Sequence, residues 1–283
     1  MLESLDLSRL HGNVYFTAFA AIALWESFQP RRRETRATAR RWGRHGALAL
    51  ATSLVSVLSR TSPLIVAAAV ATSPYGLFNH DWSPWAVRLV IACLALDAVR
   101  YLQHRLLHGT RLGWRVHQVH HSDEHFDLTT GLRFHPGEAL FTHGTYLGVV
   151  ALLAPPVEAV LIVELVTIAQ NFFAHANVRL PDRFERAIRT VWITPELHRV
   201  HHSVVIEEQN TNFGTIFPVW DRLFGTYLDE PAGGQEGLRF GLKELDPGTN
   251  LTLPRLLAMP FAGSLQTEEP RPTADEGIRR GML

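Results

Sequence analysis

The segment His104–His121 (HRLLHGTRLGWRVHQVHH) holds five of the chain's 15 histidines, at positions 104, 108, 117, 120 and 121. On a helix, His104 and His108 share one face, and His117 shares one with His120 and His121, because residues three and four apart stack. Adjacent positions differ by about 100°, so His120 and His121 aim at neighbouring points. One turn reading HxxHH can therefore feed two metals at once. A second copy, HRVHH, carries His198, His201 and His202, and His175 stands between the two boxes. Any single histidine can be explained by capping, packing or surface decoration. The repeated spacing argues for metal binding by the set. Nine such histidines exceed the needs of one tetrahedral metal and match two metals with four or five nitrogen ligands each. Imidazole suits iron, copper, zinc and nickel.

Two polar series lead toward these histidines. Asp97, Tyr101, His104 and His108 stand at i, i+4, i+7 and i+11, and so do Glu164, Ile168, Asn171 and His175. Each is one helical stripe running along an apolar segment, where a carboxylate is costly enough to imply a use. The expected use of Asp97 and Glu164 is to hold a ligand imidazole in one tautomer; a helix–helix hydrogen bond is the alternative. Tyr101, Glu138, Asn171, Asn212 and Asp221 are further candidates for that supporting role.

The elements that must position these residues are apolar and long. Val14–Phe28, Gly46–Ser73, Trp85–Leu102, Ala139–Ala154 and Val157–Phe173 are candidate membrane spans. Arg60, Ser62 and Pro63 interrupt the second, which reads as one kinked span or as a span with an interfacial piece. The arginine run Arg31–Arg44 reads as a cytoplasmic positive-inside loop rather than a nucleic-acid site. Pro155-Pro156 breaks the last two spans into a hairpin. Counting crossings puts the arginine run, both HxxHH boxes and His175 on one face, the cytoplasmic one. Gly144 and Gly148 are expected at a helix contact, and Leu251–Phe261 on the membrane surface. The fold expected is all-α: an integral membrane bundle of about four to five transmembrane helices under a cytoplasmic helical cap that holds the dimetal site. One domain is expected over 1–262, with its motif-bearing core at 97–228 and a flexible polar tail at 263–283.

Composition narrows the chemistry. Lys+Arg and Asp+Glu both total 27, so no net field argues for nucleic acid. Cys93 is the only cysteine, which removes disulfides, cysteine-ligated zinc and Fe–S clusters. No HExxH stands in the chain, against a zinc hydrolase. A metal transporter would line an intramembrane path with histidine–carboxylate pairs, whereas here HxxHH repeats outside the lipid. A histidine-held metal pair at the cytoplasmic lip has open positions for O2 and access to a lipid tail, a combination suited to oxidising an unactivated C–H bond. With no dinucleotide fingerprint or haem module, the electrons must come from another protein.

HRLLH, HQVHH and HRVHH, with RFHPGE (Arg133–Glu138), HANV (His175–Val178), TPELHRVHHS and NFG…WDRLFGT (Asn212–Thr226), closely resemble the fatty acid hydroxylase/sterol desaturase superfamily. The likeness runs from about Asp97 to Thr226. It implies an integral membrane, nonhaem diiron enzyme of the cell inner membrane that hydroxylates or desaturates a lipid. It further implies O2 as co-substrate and an external electron donor, a ferredoxin- or cytochrome-type protein with its reductase. By the resemblance His104, His108, His117, His120, His121, His175, His198, His201 and His202 are ligands to two iron ions. Some members carry another histidine where Asn171 stands here, so Asn171, a water or His135 are alternatives for a last ligand. His125 and His143 read as structural, and His11, His45 and His80 as incidental. Phe213 replaces the family's usual tyrosine, at the expected loss of one hydrogen bond. Hydroxylation is favoured over desaturation because no double-bond-specific feature is visible.

Overall fold

A computed structural model of the chain describes residues 4–33, 38–249 and 251–262. The expected tail at 263–283 and residues 34–37 of the arginine run lie outside the described residues. Among those described, the chain is helical and holds no strand; two isolated β-bridges join Pro30 to Val178 and Ser203 to Phe240.

Helix α1 spans Ser4–Phe28 and α2 spans Thr38–Ser59. The chain then breaks at Arg60, whose φ is 52°, and restarts at α3 (Pro63–Val70). Ser62 caps that restart by accepting from the Ile65 N–H at 3.3 Å, with Pro63 in the first turn where its missing N–H costs nothing. The segment 46–73 is therefore two helices. Helix α4 (Trp85–Gly109) runs unbroken through His104 and His108, and Thr110 caps the start of α5 (Arg111–His121). Helices α6 (Pro136–Leu153) and α7 (Val157–Ala174) form the proline-broken hairpin, with Ala154 in the left-handed region at φ 49°. Gly76, at φ 106°, lies against this turn: a Cβ there would sit 2.4 Å from that of Ala154, so only glycine fits. Two short helices complete the site, α8 (Asp182–Ile188) and α9 (Pro195–His201).

Helix α7 packs on α1 and α4, α6 packs on α2 and α3, and α5 folds back along α4. Their shared core holds Ala92, Leu96, Tyr146, Val150, Val160 and Val163, closed at one end by Leu64, Ala67 and Phe78. The outward faces are apolar as well: Phe16, Leu50, Leu58 and Leu152 are each at least 70 % exposed. Among the described residues, two helical stretches, Ala39–Val70 and Val157–Ala174, are long and apolar enough to cross a membrane. The other expected spans fall short of that test. Helix α4 carries Arg88, Asp97, Arg100 and Arg105, and α6 carries Glu138 and His143.

Two local expectations are corrected. Residues 251–261 turn much of their apolar side inward: Leu251, Leu256 and Met259 pack on Leu48 of α2 and Val119 of α5, backing the histidine helix, while Phe261 stays exposed. Gly144 and Gly148 face open space instead of a neighbouring helix.

Candidate metal centre

The eight histidines in repeated spacing and the lone His175 converge in two groups. His104, His108, His117, His121 and His201 form one, and His120, His175, His198 and His202 the other; within each, one ring nitrogen per residue lies within 4.8 Å of all the rest. Nitrogens ligating a first-row metal at about 2.1 Å lie up to about 4.2 Å apart, so small ring shifts would close either group on an ion. The adjacent pairs divide between the groups: His120 and His202 go to one, His121 and His201 to the other. The groups abut, with the His121 and His202 rings stacked at 4.4 Å.

Hydrogen bonds around the rim fix which nitrogen faces inward. His104 Nδ1 donates to the Phe213 carbonyl at 2.9 Å, His175 Nδ1 to the Asn171 carbonyl at 2.7 Å, and His201 Nδ1 to the Thr211 carbonyl at 2.8 Å. A carbonyl only accepts, so each Nδ1 carries the proton and each neutral ring points a bare Nε2 at its group. His117 Nδ1 lies 2.8 Å from Glu138 Oε1 and is fixed the same way. In the neutral, metal-binding form of both rings, the lone pairs of His104 Nε2 and His117 Nε2 face each other at 3.2 Å. In the second group His175 Nε2 approaches His198 Nε2 at 3.0 Å and His120 Nε2 at 3.2 Å. His201 Nε2 is buried without a hydrogen-bond partner. Facing lone pairs and an orphaned acceptor are unfavourable in a buried site; a cation among them removes both penalties. The donor set thus fits a metal in each group.

Burial, reinforced by the neighbouring imidazoles, holds His120, His121, His198 and His202 well below the usual histidine range. Burial also lowers His201 to about 3 and His175 to about 4, the latter against the bond from Asn171. Neutral imidazole is the metal-binding form.

The supporting residues are placed less as expected. Glu138 does hold a site imidazole. Asp97 does not: its carboxylate accepts from the Ile216 and Phe217 N–H groups and from Trp220 Nε1 at 2.8 Å, bracing the loop whose Phe213 carbonyl holds His104. Asp221 accepts from the Phe213 and Gly214 N–H groups and from Thr226 Oγ1, and Tyr101 Oη meets that same Thr226 hydroxyl at 2.9 Å. Asn212, at φ 53°, ties Leu197 to Leu228. Glu164 pairs with His11 at 3.2 Å rather than with a site histidine, so His11 is not incidental. Neither proposed last ligand reaches a group. The Asn171 side chain donates to the Gly131 carbonyl, and His135 caps α6, with Nδ1 accepting from the Gly137 N–H and Nε2 3.2 Å from the Leu257 carbonyl. His143 sits beside Thr61 and Ser59 as a structural group. Phe213 serves through its backbone, and its ring lies against those of His104, His108 and His201.

Several contributors escaped the sequence reading. Arg41 makes a two-pronged ion pair with Asp123 and a second with Asp127, anchoring the segment after HQVHH to α2. Burial alone would raise Asp123, but the Arg41 guanidinium overrides it and holds the carboxyl far below its usual range. His45, expected to be incidental, is buried between Thr129 and Arg133. Glu26 accepts from the Leu128 and Asn177 N–H groups, tying α1 to the rim. Gly131 lies so close beneath His175 that a Cβ would stand 3.1 Å from its Nδ1. Phe134 stacks on His120 at 4.5 Å. None of these carries a spacing signal, because each partner is distant in sequence.

A cavity of about 530 Å³ opens from the two groups; its lining includes His104, His117, His120, His175 and His198 and also Arg100, Glu164, His11 and Ser53.

Residues 89–226 match the fatty acid hydroxylase family. The chain is 30% identical over 227 residues to the ornithine lipid hydroxylase OlsE of Rhizobium tropici, covering 77% of this chain and 67% of that protein. Human alkylglycerol monooxygenase is 30% identical over 207 residues, 70% of this chain but 45% of its own length. A very-long-chain aldehyde decarbonylase of Oryza sativa is 27% identical over 149 residues, 52% of this chain and 54% of the relative. The chain belongs to the fatty acid hydroxylase family. It spans less than half the length of the human relative. No solved structure matches it significantly.

Proposed function

We propose that the protein is an O2-dependent lipid hydroxylase whose two histidine groups each hold one iron ion. The observation that carries this reading is the approach of His104 Nε2 and His117 Nε2 to 3.2 Å inside one group, with both Nδ1 atoms engaged outside it. Iron in such a site supplies reductive activation of O2: one oxygen atom enters a C–H bond, the other leaves as water, and two electrons and two protons are consumed. The nine histidines hold the metals, and Glu138 and the carbonyls of Phe213, Asn171 and Thr211 fix the orientation of the imidazoles they touch. Burial around the groups excludes bulk water. The named activities of the ornithine lipid and alkylglycerol relatives support a lipid substrate and hydroxylation rather than desaturation.

Outward apolar faces on α1, α2, α4 and α6, together with the two stretches long enough to span, support a multi-pass inner-membrane bundle. In this reading residues 1–262 act as one unit, and the histidine end faces the cytoplasm, where Arg31–Arg44 lies and where a ferredoxin- or cytochrome-type donor delivers electrons. The test is to load the purified protein with ferrous iron, supply O2 and a reducing system, and follow membrane lipids by mass spectrometry. A lipid that gains about sixteen mass units, one oxygen atom, only with the iron-loaded protein is expected; an unchanged lipid pool with fully loaded protein would refute it.

A further inference from the structure

The cavity beside the histidines is mostly apolar, with Leu107, Phe134, Ile168 and Phe172 in its lining, but part of that lining is polar. The polar lining includes His11, Ser53, Ser56, Arg100, Glu164 and Thr167. Both of its carboxylates are already engaged by histidines, Glu138 by His117 and Glu164 by His11. Arg100 is the only arginine or lysine among its described lining residues. Its guanidinium lies over the Tyr146 ring, 4.4 Å from the centroid, and its Nε is buried without a hydrogen-bond partner, as is Thr167 Oγ1. Methylene groups packed against these atoms would leave Arg100 Nε and the Thr167 hydroxyl without hydrogen-bond partners, a costly arrangement. An anionic oxygen group supplies the acceptor that Arg100 Nε lacks.

We propose that Arg100 seats the anionic headgroup of the substrate, a carboxylate or a phosphate, so that the substrate class is a lipid with a charged head. The inference rests on the lipid-oxidation reading and narrows it. Arg100 precedes His104 by one helical turn, a rise of about 6 Å. A head held there presents a carbon only a few bonds away to the histidine groups, and the chain tail extends toward the lipid. Oxidation then falls within the headgroup or on the first carbons attached to it. Glu164 and His11, in the same lining, suit a hydrogen-bond donor carried by that head.

The test is binding, measured by calorimetry on the purified full chain in neutral detergent with three probes of equal acyl chain: a monoacylglycerol, a lysophospholipid and an N-acyl amino acid. At least one anionic probe should bind about tenfold more tightly than the neutral one, as a charge-assisted hydrogen bond predicts. Which anionic probe wins identifies phosphate or carboxylate. Arg100→Met should abolish the preference and Arg100→Lys retain much of it. Equal affinity of the wild-type protein for all three probes overturns the proposal without any variant, as does a preference that survives Arg100→Met. Oxidation of the same probes is followed in parallel. Oxidation without headgroup preference removes the Arg100 seat and leaves the hydroxylase; selective binding without oxidation by the iron-loaded protein does the reverse.

Discussion

Glu138 Oε1 sits 2.8 Å from His117 Nδ1, joining the first turn of α6 to the middle of α5 across 21 residues of chain. That contact sets the His117 tautomer. Glu138→Ala should lower iron affinity by about 10- to 100-fold, as loss of a carboxylate behind a ligand imidazole typically does. Glu138→Gln, which keeps an acceptor, should lose less. Iron titration of the two variants decides, and equal wild-type affinity in both would remove Glu138 from the site.

His201 and His202 are neighbours in sequence but belong to different groups. Single alanine substitutions at either position should therefore each deplete one metal, dropping iron from about two per chain toward one, with loss of oxidation in both. The double variant should lose both metals. Iron quantitation that stays at two in either single variant contradicts the division.

Asp97 acts through a loop rather than on an imidazole. Asp97→Ala leaves three donors, the Ile216 and Phe217 N–H groups and Trp220 Nε1, without their acceptor. A stability loss of about 1–3 kcal/mol is expected, seen as a lowered thermal midpoint, with iron lost only as the Phe213 carbonyl drifts from His104. An unchanged midpoint with reduced turnover would instead give Asp97 a direct role at the site.

Arg41 and Asp123 are both buried, at 7 and 4 % side-chain exposure. Arg41→Met strands two carboxylates and should cost about 3–5 kcal/mol, with the segment 123–130 becoming protease-sensitive. Limited proteolysis matching wild type would show that the pair is dispensable.

Acid should destabilise the metal-free protein. Unfolded imidazoles titrate near 6.5, whereas burial holds His175 at about 4 and His201 at about 3 in the fold. Between those values the unfolded chain binds protons that the folded chain refuses, so the stability present above pH 6.5 is lost as pH falls toward the folded values. The thermal midpoint in detergent should decline through that window, and a flat profile would mean that the imidazoles are accessible.

The site was legible where its logic is local. HxxHH and HxxxH are spacings within single helices, and they name eight of the nine clustered histidines because helix geometry alone carries such neighbours together; His175, which ends the Glu164–Asn171 stripe, has no histidine one turn away. The reading failed where the partner is remote. Asp97 shares a stripe with His104, yet its donors come from a loop about 120 residues later. His135 stands in a histidine-rich context, but a proline follows it, and the helix start claims its ring as a cap. Glu164 and His11 lie on different helices, and only packing brings them together. For the membrane bundle, periodicity marked the apolar segments but not the charges α4 carries for its polar contacts; four arginine or aspartate side chains along that helix weigh against a span by composition alone.

The central claim is tested most directly by anomalous scattering at the iron edge from crystals of the iron-loaded protein. Two peaks are predicted, one enclosed by His104, His108, His117, His121 and His201 and the other by His120, His175, His198 and His202. A single peak, or peaks lying away from these rings, would contradict the account.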